Sequence, residues 1–306
     1  MDSAAEKPAV PVVRRREQHV QCEQFTIGSI ECQILPDGEA MYLPADLAAG
    51  VPADEIIAAH RGTVDENGRI AVPYNCLLIR AGGRIALVDT GLGAQAVREF
   101  GAFGASAGRL MESLTACGIA PGDVDLVIIS HAHPDHIAGL TAESRGARVP
   151  VFSRARHYFW QSEWDFWTSE EGLAEVPELL ANAARRHLPP VHQAGLVELV
   201  SEETDVLPGV RLLPAPGHTP GHMALAITSG DEGAIYLGDA ILGEAHFDHP
   251  DWVSPHDSIP ALTVTTRERL LDTAIREKRL LIAFHLAVRG YADRINARYR
   301  FRHTTA

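Results

Sequence analysis

The sequence predicts an α/β protein, and three observations support that fold class. Apolar, β-branched segments typical of strands alternate along the chain with segments of helical periodicity. The 306 residues are 46% hydrophobic and 22% charged, which is enough apolar material for a sizeable core. Candidate metal ligands recur directly after the predicted strands. We expect an N-terminal tail over residues 1–22 and a single domain over residues 23–306.

The first part of the chain is predicted to contain mainly strands. One strand covers residues 25–35, and a short helix is predicted at residues 53–60, within a segment that mixes proline, glycine, alanine and acidic residues. Two further strands, residues 75–79 and 84–88, are joined by Ala81-Gly82-Gly83. The two glycines supply the positive φ angles of a hairpin turn, so this segment is predicted to be a β-hairpin.

Helices and strands alternate in the rest of the chain. The apolar positions Leu110, Met111 and Leu114 suit an amphipathic helix over residues 105–117. Residues 153–188 are predicted to be helical and are rich in aromatic side chains. The remaining predicted strands are residues 125–130, 196–200, 210–213, 223–228, 234–237 and a last strand, 280–284, with a helix at residues 258–277.

The densest group of candidate ligands is His131-Ala132-His133-Pro134-Asp135-His136, directly after a predicted buried strand. Side chains at positions i and i+2 of an extended chain point the same way, so His131 and His133 can bind one ion. Pro134 favours an extended backbone at His133. Asp135 and His136 then lie where the chain turns and can face a second ion. A histidine-rich polar loop is the alternative, but four such side chains rarely cluster without a metal.

Three further segments offer one candidate ligand each. Gly217-His218-Thr219-Pro220-Gly221-His222 follows a strand, and its glycines permit a sharp turn that brings His218 inward. Asp239 and His285 each follow a later strand. Taken alone, each has an ordinary interpretation: a Gly/Pro turn with incidental histidines, a turn aspartate and a core histidine.

Together these segments predict a centre for two metal ions. The predicted ligands are three for one ion, three for the other and one shared: His131, His133 and His218; Asp135, His136 and His285; and Asp239. Nitrogen and carboxylate ligands suit two divalent ions, zinc in the first place, with manganese, cobalt or iron as alternatives.

The order of these motifs resembles the metallo-β-lactamase superfamily, whose hallmark is HxHxDH followed by a His, a bridging Asp and a final His. The resemblance covers roughly residues 25–300. It implies an αββα sandwich, two mixed β-sheets face to face with helices outside and the metals at one edge of the sheets. Val88-Asp89-Thr90-Gly91 matches an early motif of the family. The resemblance implies that Asp89 orients ligands without binding a metal itself.

The residues at and around the motifs indicate which branch of the superfamily the chain resembles. Asp239 stands where common β-lactamases have a cysteine, and no Lys/Arg-rich block suggests a nuclease. The remaining group contains small-molecule hydrolases, namely acyl-homoserine lactonases, pyridoxolactonase-like enzymes and methyl parathion hydrolase. Residues 103–110, 207–210 and 247–248 are most similar to methyl parathion hydrolase-like proteins. Leu242 occupies a position where acyl-homoserine lactonases typically have a tyrosine that holds the substrate carbonyl.

The predicted reaction is hydrolysis by a hydroxide that bridges the two ions and attacks a carbonyl carbon or a phosphorus. Asp135 and Asp239 are the predicted catalytic carboxylates. We expect a small hydrophobic ester or lactone as substrate, with an organophosphate triester as the alternative and a non-hydrolytic metal- or oxygen-binding protein as a third reading. The expected substrate contacts, each of which could instead be core or dimer packing, are Phe103, Trp164, Phe166, Trp167 and His246.

Composition limits the partners. A net charge of −13 argues against nucleic acid and anionic membranes as partners. The four cysteines form no C-x-x-C pair, which indicates free thiols in a reducing compartment. Neither a signal peptide nor an apolar run of membrane-spanning length is visible in the sequence. We therefore expect a cytoplasmic protein that acts on a small molecule, and a homodimer by analogy.

Overall fold

The structure, a computed structural model, describes residues 22–60, 64–296 and 298–304. The predicted tail, residues 1–22, lies outside the described residues except for Cys22. Sixteen strands are found in this part of the chain. They are β1 (Glu23–Ile27), β2 (Ile30–Tyr42), β3 (Ile70–Ala81), β4 (Arg84–Val88), β5 (Leu126–Ile128), β6 (Thr141–Ser144), β7 (Ala147–Pro150), β8 (Arg156–Trp160), β9 (Val197–Val200), β10 (Thr204–Leu207), β11 (Val210–Pro214), β12 (Met223–Ser229), β13 (Glu232–Tyr236), β14 (Leu280–Ile282), β15 (Gly290–Ile295) and β16 (Arg298–His303).

Ten α-helices connect these strands within the described residues. They are α1 (Pro44–Leu47), α2 (Ala53–Ala59), α3 (Ala96–Phe100), α4 (Leu110–Ala116), α5 (Pro134–Ile137), α6 (Gln161–Thr168), α7 (Glu170–Ala174), α8 (Glu178–Gln193), α9 (Ala245–Asp248) and α10 (Pro260–Glu277). Short 3₁₀ turns cover Gly101–Gly104, Pro121–Asp123, Ala138–Leu140 and Gly238–Ala240. None of the described helices is long and apolar enough to cross a lipid bilayer.

Fourteen of the strands form two mixed sheets of seven strands each. The first has the order β1-β2-β3-β4-β5-β8-β9, antiparallel up to β4 and parallel from β4 to β9. The second has the order β10-β11-β12-β13-β14-β15-β16, in which β13 and β14 are the parallel pair. Strands β6 and β7 form a separate hairpin. The mixed sheets agree with the predicted fold class.

The layers follow from alternation of side chains along the strands. In β13, Ala234 and Tyr236 join the core cluster that also holds residues of the first sheet, whereas Ile235 belongs to a second cluster with Leu270 and Leu271 of α10. Successive side chains of a strand point to opposite faces, so β13 is covered by the first sheet on one side and by α10 on the other. Helix α4 packs on β2 of the first sheet. The result is the predicted αββα sandwich.

The structure corrects several local predictions. Residues 153–188 do not form one helical segment, because Arg156–Trp160 is β8, which joins the first sheet beside β5. Residues 280–284 do not form the last strand, since Gly290–Ile295 and Arg298–His303 extend the second sheet. The hairpin between β3 and β4 is confirmed, and Gly82 and Gly83 have φ angles of 59° and 75°.

Candidate metal centre

The first four predicted ligands lie just beyond the end of β5. The chain leaves this buried strand in extended form and presents His131 and His133 at the edge of the first sheet. His133 has φ −69° and ψ 155°, the extended geometry expected before a proline. Pro134 is the first residue of α5, which carries Asp135 and His136. One strand end and one helical turn thus bring these side chains together in a buried position.

His218 is brought to the same place by the loop after β11. Gly217 has a φ of 142°, and a Cβ added there would lie 2.4 Å from the backbone nitrogen of Thr263, so the loop can pass α10 only with glycine at this position. Nδ1 of His218 lies 2.8 Å from Oδ1 of Asp257, which fixes the ring and leaves Nε2 facing the site. Burial acts to lower the pKa of His218, but the carboxylates of Asp257 and Asp239 together raise the pKa above its usual value.

Asp239 and His285 arrive from neighbouring strands of the second sheet. Asp239 lies in the 3₁₀ turn after β13, where its N–H donates to Nε2 of His222 at 3.0 Å. His285 follows β14, and its Nδ1 donates to the carbonyl oxygen of Pro73 at 3.0 Å. Nε2 of His285 is therefore left facing Oδ2 of Asp239, at 3.1 Å. The parallel pairing of β13 and β14 places both strand ends at one edge.

The structure thus brings all seven predicted ligands together. Within each of two groups, the potential ligand atoms lie within 4.8 Å of one another: His131, His133, His218 and Asp239; and Asp135, His136 and His285. Asp239 also faces the second group. Its Oδ2 lies 3.4 Å from Nε2 of His218, and its Oδ1 lies 3.3 Å from Nε2 of His136. This is the position that a carboxylate shared by two ions would occupy.

The unpaired atoms in this site fit a pair of divalent cations. Nε2 of His131, Nε2 of His136 and Oδ1 of Asp239 are buried and have no hydrogen-bond partner. Buried polar atoms without partners are costly, so three that belong to the two ligand groups call for bound cations. Burial also lowers the pKa of His131 and of His133 well below the usual range, so both rings are neutral with a lone pair to offer. Imidazole and carboxylate donors of this kind suit zinc.

Asp89 lies directly behind the ligands. Its carboxylate accepts the N–H and the hydroxyl of Ser130, both at 2.8 Å, and the hydroxyl of Tyr236 at 2.7 Å. Oδ2 of Asp89 is also 3.0 Å from Nδ1 of His136. Asp89 has a φ of 61°, which is uncommon for a residue other than glycine and marks a locally strained turn. These contacts orient His136 with its Nε2 toward the site.

A second buried carboxylate, Glu163 of α6, joins the two ligand loops. It accepts the N–H of Ala132 at 2.8 Å, the hydroxyl of Thr219 at 2.7 Å and the N–H of Gly221 at 2.9 Å. Burial raises its pKa. Sequence reasoning missed both Glu163 and Asp257, because a lone acidic residue in an aromatic helix or a polar loop carries no local signal that separates it from a solvated one.

An apolar cavity opens over the ligands. Its volume is about 270 Å³, and Asp135, Asp239 and His285 contribute to its lining. Its other walls are mainly apolar and are formed by Leu47, Val72, Phe100, Phe103, Leu180 and Leu242, with Tyr42 among them. Such a lining favours a neutral, hydrophobic ligand over a charged one.

The predicted substrate contacts have different positions. Phe103 lines the cavity, and its ring lies 5.2 Å from that of Tyr42. Trp167 is buried, and its ring lies 5.5 Å from that of His133, so it packs against a predicted metal ligand. The other three predicted contacts are absent from the described cavity lining: Trp164 packs on Phe159, Phe166 packs on Trp167, and His246 accepts the N–H of Leu242. The apolar character of Trp164 and Phe166 gave no information on which face of α6 reaches the cavity.

Comparison with known proteins agrees with this geometry. Residues 69–284 match the family model described as the Metallo-beta-lactamase superfamily. The chain is 27% identical to an N-acyl homoserine lactonase of a Bacillus species in an alignment 253 positions long, which covers 77% of this chain and 91% of that protein.

Two solved structures are similar in fold. One, described as AidC, a dizinc quorum-quenching lactonase in complex with a product, has a TM-score of 0.78 at 23% identity and covers 94% of this chain and 98% of that one. The other, described as the hydrolase AbOPH in the beta lactamase superfamily, has a TM-score of 0.81 at 22% identity and covers 95% and 99%. These findings confirm the predicted family and enzyme class, a metal-dependent hydrolase. The chain belongs to the metallo-beta-lactamase superfamily.

Proposed function

We propose that this protein is a dinuclear metal-dependent hydrolase that opens a lactone or cleaves a small hydrophobic ester. The observation that carries the proposal is the convergence of two ligand groups, with Asp239 between them, beside an apolar cavity. Its relatives named N-acyl homoserine lactonase support a lactone with an apolar acyl chain as the first candidate. A triester of phosphoric acid is the alternative, because attack on phosphorus needs the same centre.

The candidate ligands form two sets, one for each metal ion. His131, His133 and His218 would hold one ion, Asp135, His136 and His285 the other, and Asp239 both. Two divalent ions supply an activated water and polarise the oxygen of the bond to be cleaved. Zinc is the proposed ion, on the grounds of the histidine-rich donor set.

The chain's own side chains then have three tasks. The buried contacts from Asp89 and Asp257 keep the rings of His136 and His218 in place. The apolar walls around Phe103 and Leu242 exclude water from the bound acyl group and strengthen the electrostatic interactions beside it. Orientation of the scissile bond over the ligands then contributes to the rate.

The test is reconstitution of metal-free protein with zinc, manganese or cobalt, followed by assays on three substrate classes. These are γ-lactones with acyl-amide chains of different length, aryl esters and phosphotriesters. We expect metal-dependent turnover, two ions per chain by elemental analysis, and the highest kcat/KM on a lactone or an ester. Loss of turnover with a chelator and its return with zinc is the internal control. Stoichiometric metal without turnover of any member of the panel would contradict the proposal.

A further inference from the structure

Two tyrosines beside the candidate metal centre share a hydrogen bond that the proposed function does not yet use. Tyr42 ends β2 and lines the cavity, whereas Tyr74 lies in β3 and is 0% exposed. Their hydroxyl oxygens are 2.8 Å apart. The ring of Tyr74 lies 5.3 Å from the ring of His285, which brings the pair of phenols to the ligands of the second group.

The positions of the two hydroxyl groups decide which one donates. Either atom can donate in the bond between them, so one of the two protons is used there and the other remains. Tyr74 is fully buried, and in the described part of the chain its hydroxyl has Tyr42 as its hydrogen-bond partner. A buried donor without a hydrogen-bond acceptor destabilises the fold, so the hydroxyl of Tyr74 donates to the oxygen of Tyr42. The proton of Tyr42 is then free to point into the cavity.

The neighbouring side chains do not offer the same kind of donor. Leu242 lines the cavity and is apolar. Ser254 also lines it, but its hydroxyl donates to the carbonyl oxygen of Asp46 at 2.7 Å. His256 lies at the exposed side of the cavity. A phenol keeps its proton at neutral pH because its ordinary pKa is about 10. Among the described lining residues, Tyr42 thus combines a free proton with a fixed orientation.

We propose that Tyr42 is a catalytic residue that donates a hydrogen bond to the carbonyl oxygen of the bound lactone or ester, with Tyr74 as the positioning residue that orients it. The proposal rests on the proposed function. When the oxygen of a water adds to the carbonyl carbon, the π pair of the C=O bond moves onto the carbonyl oxygen. The hydroxyl of Tyr42 stabilises that charge without giving up its proton. The pair then returns, the ring or ester C–O bond breaks, and the leaving oxygen takes the proton that the water released.

The expected effects differ between the two tyrosines. Removal of one donor to a developing oxyanion lowers kcat by about 100-fold or more, so Tyr42→Phe should lower kcat by about 100-fold with little change in KM. Tyr74→Phe removes an orienting bond worth about a factor of five. The double variant leaves no buried hydroxyl unpaired, and it should be no slower than Tyr42→Phe, because Tyr74 acts only through Tyr42.

The experiment compares zinc-loaded wild type, Tyr42→Phe, Tyr74→Phe and the double variant. Tyr291→Phe is the matched control, since Tyr291 lies in β15 of the second sheet and is absent from the described cavity lining. We would measure kcat and KM on a lactone and an aryl ester, zinc content, and the calorimetric affinity for hexyl methylphosphonate, a tetrahedral analogue of the ester. We expect the affinity to fall in Tyr42→Phe by a factor similar to that in kcat, with full zinc content.

The outcomes separate this proposal from the proposed function. Equal phosphonate affinity and kcat within twofold in Tyr42→Phe would overturn the role of Tyr42, as would an equal loss in Tyr291→Phe. A wild-type protein without turnover on any ester or lactone would overturn the proposed function instead. In that case the phosphonate titration alone decides on Tyr42, because it measures the donor without requiring turnover.

Discussion

The replacement Glu163→Gln tests whether one buried carboxylate holds the two ligand loops in register. Glu163 accepts hydrogen bonds from Ala132, which lies between His131 and His133, and from Thr219 and Gly221 in the loop of His218. All three of these metal-ligand candidates belong to the same group. Weaker hydrogen bonding between the two loops should therefore lower the metal affinity of this group. The metal affinity of the group formed by Asp135, His136 and His285 should change less.

The magnitude follows from the hydrogen bonds. Oε2 of Glu163 accepts two of them, and Oε1 accepts the N–H of Ala132. A glutamine that keeps its oxygen in place of Oε2 turns its NH₂ toward Ala132, so that two donors face each other. An unpaired buried donor costs about 1–3 kcal/mol. Burial raises the pKa of the Glu163 carboxyl, which means that its charged form is costly to bury. Replacing it with a neutral amide therefore recovers part of the lost stability. We expect a net loss of about 1–2 kcal/mol in the free energy of unfolding and of about tenfold in the affinity of one zinc ion.

The assay is a competition between the protein and a chelating dye, with zinc release followed for each of the two ions. Urea unfolding of the metal-free protein measures the loss of stability separately. Glu170→Gln is the matched control, because Glu170 is an exposed residue whose contact is a 3.4 Å ion pair with Arg185. Identical zinc release and unfolding midpoints in the Glu163 and Glu170 variants would refute the reasoning.

Three further predictions concern the shared ligand, a buried histidine and a tightly packed glycine. Asp239→Ala should abolish retention of both ions after gel filtration, while Asp231→Ala, in an exposed turn, should retain both; one tightly held ion would contradict the shared role. Burial lowers the pKa of His157 to about 4, so its contribution to stability is present above pH 6.5 and is lost as pH falls toward 4. The loss of unfolding free energy between pH 7 and pH 4.5 should be about 2–3 kcal/mol smaller in His157→Leu than in wild type, by urea titration; equal losses would count against this. A Cβ on Gly139 would lie 1.9 Å from the carbonyl oxygen of Thr90, so Gly139→Ala should cost about 1–3 kcal/mol in thermal unfolding, unlike Gly122→Ala, where the nearest atom is 3.8 Å away.

Local patterns in the sequence were sufficient for the strand ends and for the candidate ligands. The spacing of His131 and His133, the proline after them and the glycines of the β3–β4 turn act through backbone geometry within a few residues. Each later ligand likewise follows a strand whose apolar character is visible in the sequence. Such features depend on neighbours in the chain, so they can be predicted without the fold.

Local sequence patterns did not predict what the aromatic side chains of α6 contact. The sequence named Trp164, Phe166 and Trp167 as candidate substrate contacts that could instead be core or dimer packing. The structure places Trp167 against His133 and Trp164 in the core. Periodicity indicates that such side chains are buried, but it does not indicate which residues they pack against. Strands β15 and β16 were missed for a related reason, since their stability depends on pairing with the edge of a sheet formed earlier in the chain.

The sequence by itself therefore determined the family, the mixed α/β architecture and the identity of seven candidate ligands. Only the tertiary structure decided what holds those ligands and what faces the cavity. Glu163 reaches partners that are 31 to 58 residues away, and the hydroxyl groups of Tyr42 and Tyr74 are separated by 32 residues. Contacts over such distances depend on how the sheets and helices pack against one another, and no local spacing of residue types specifies that packing.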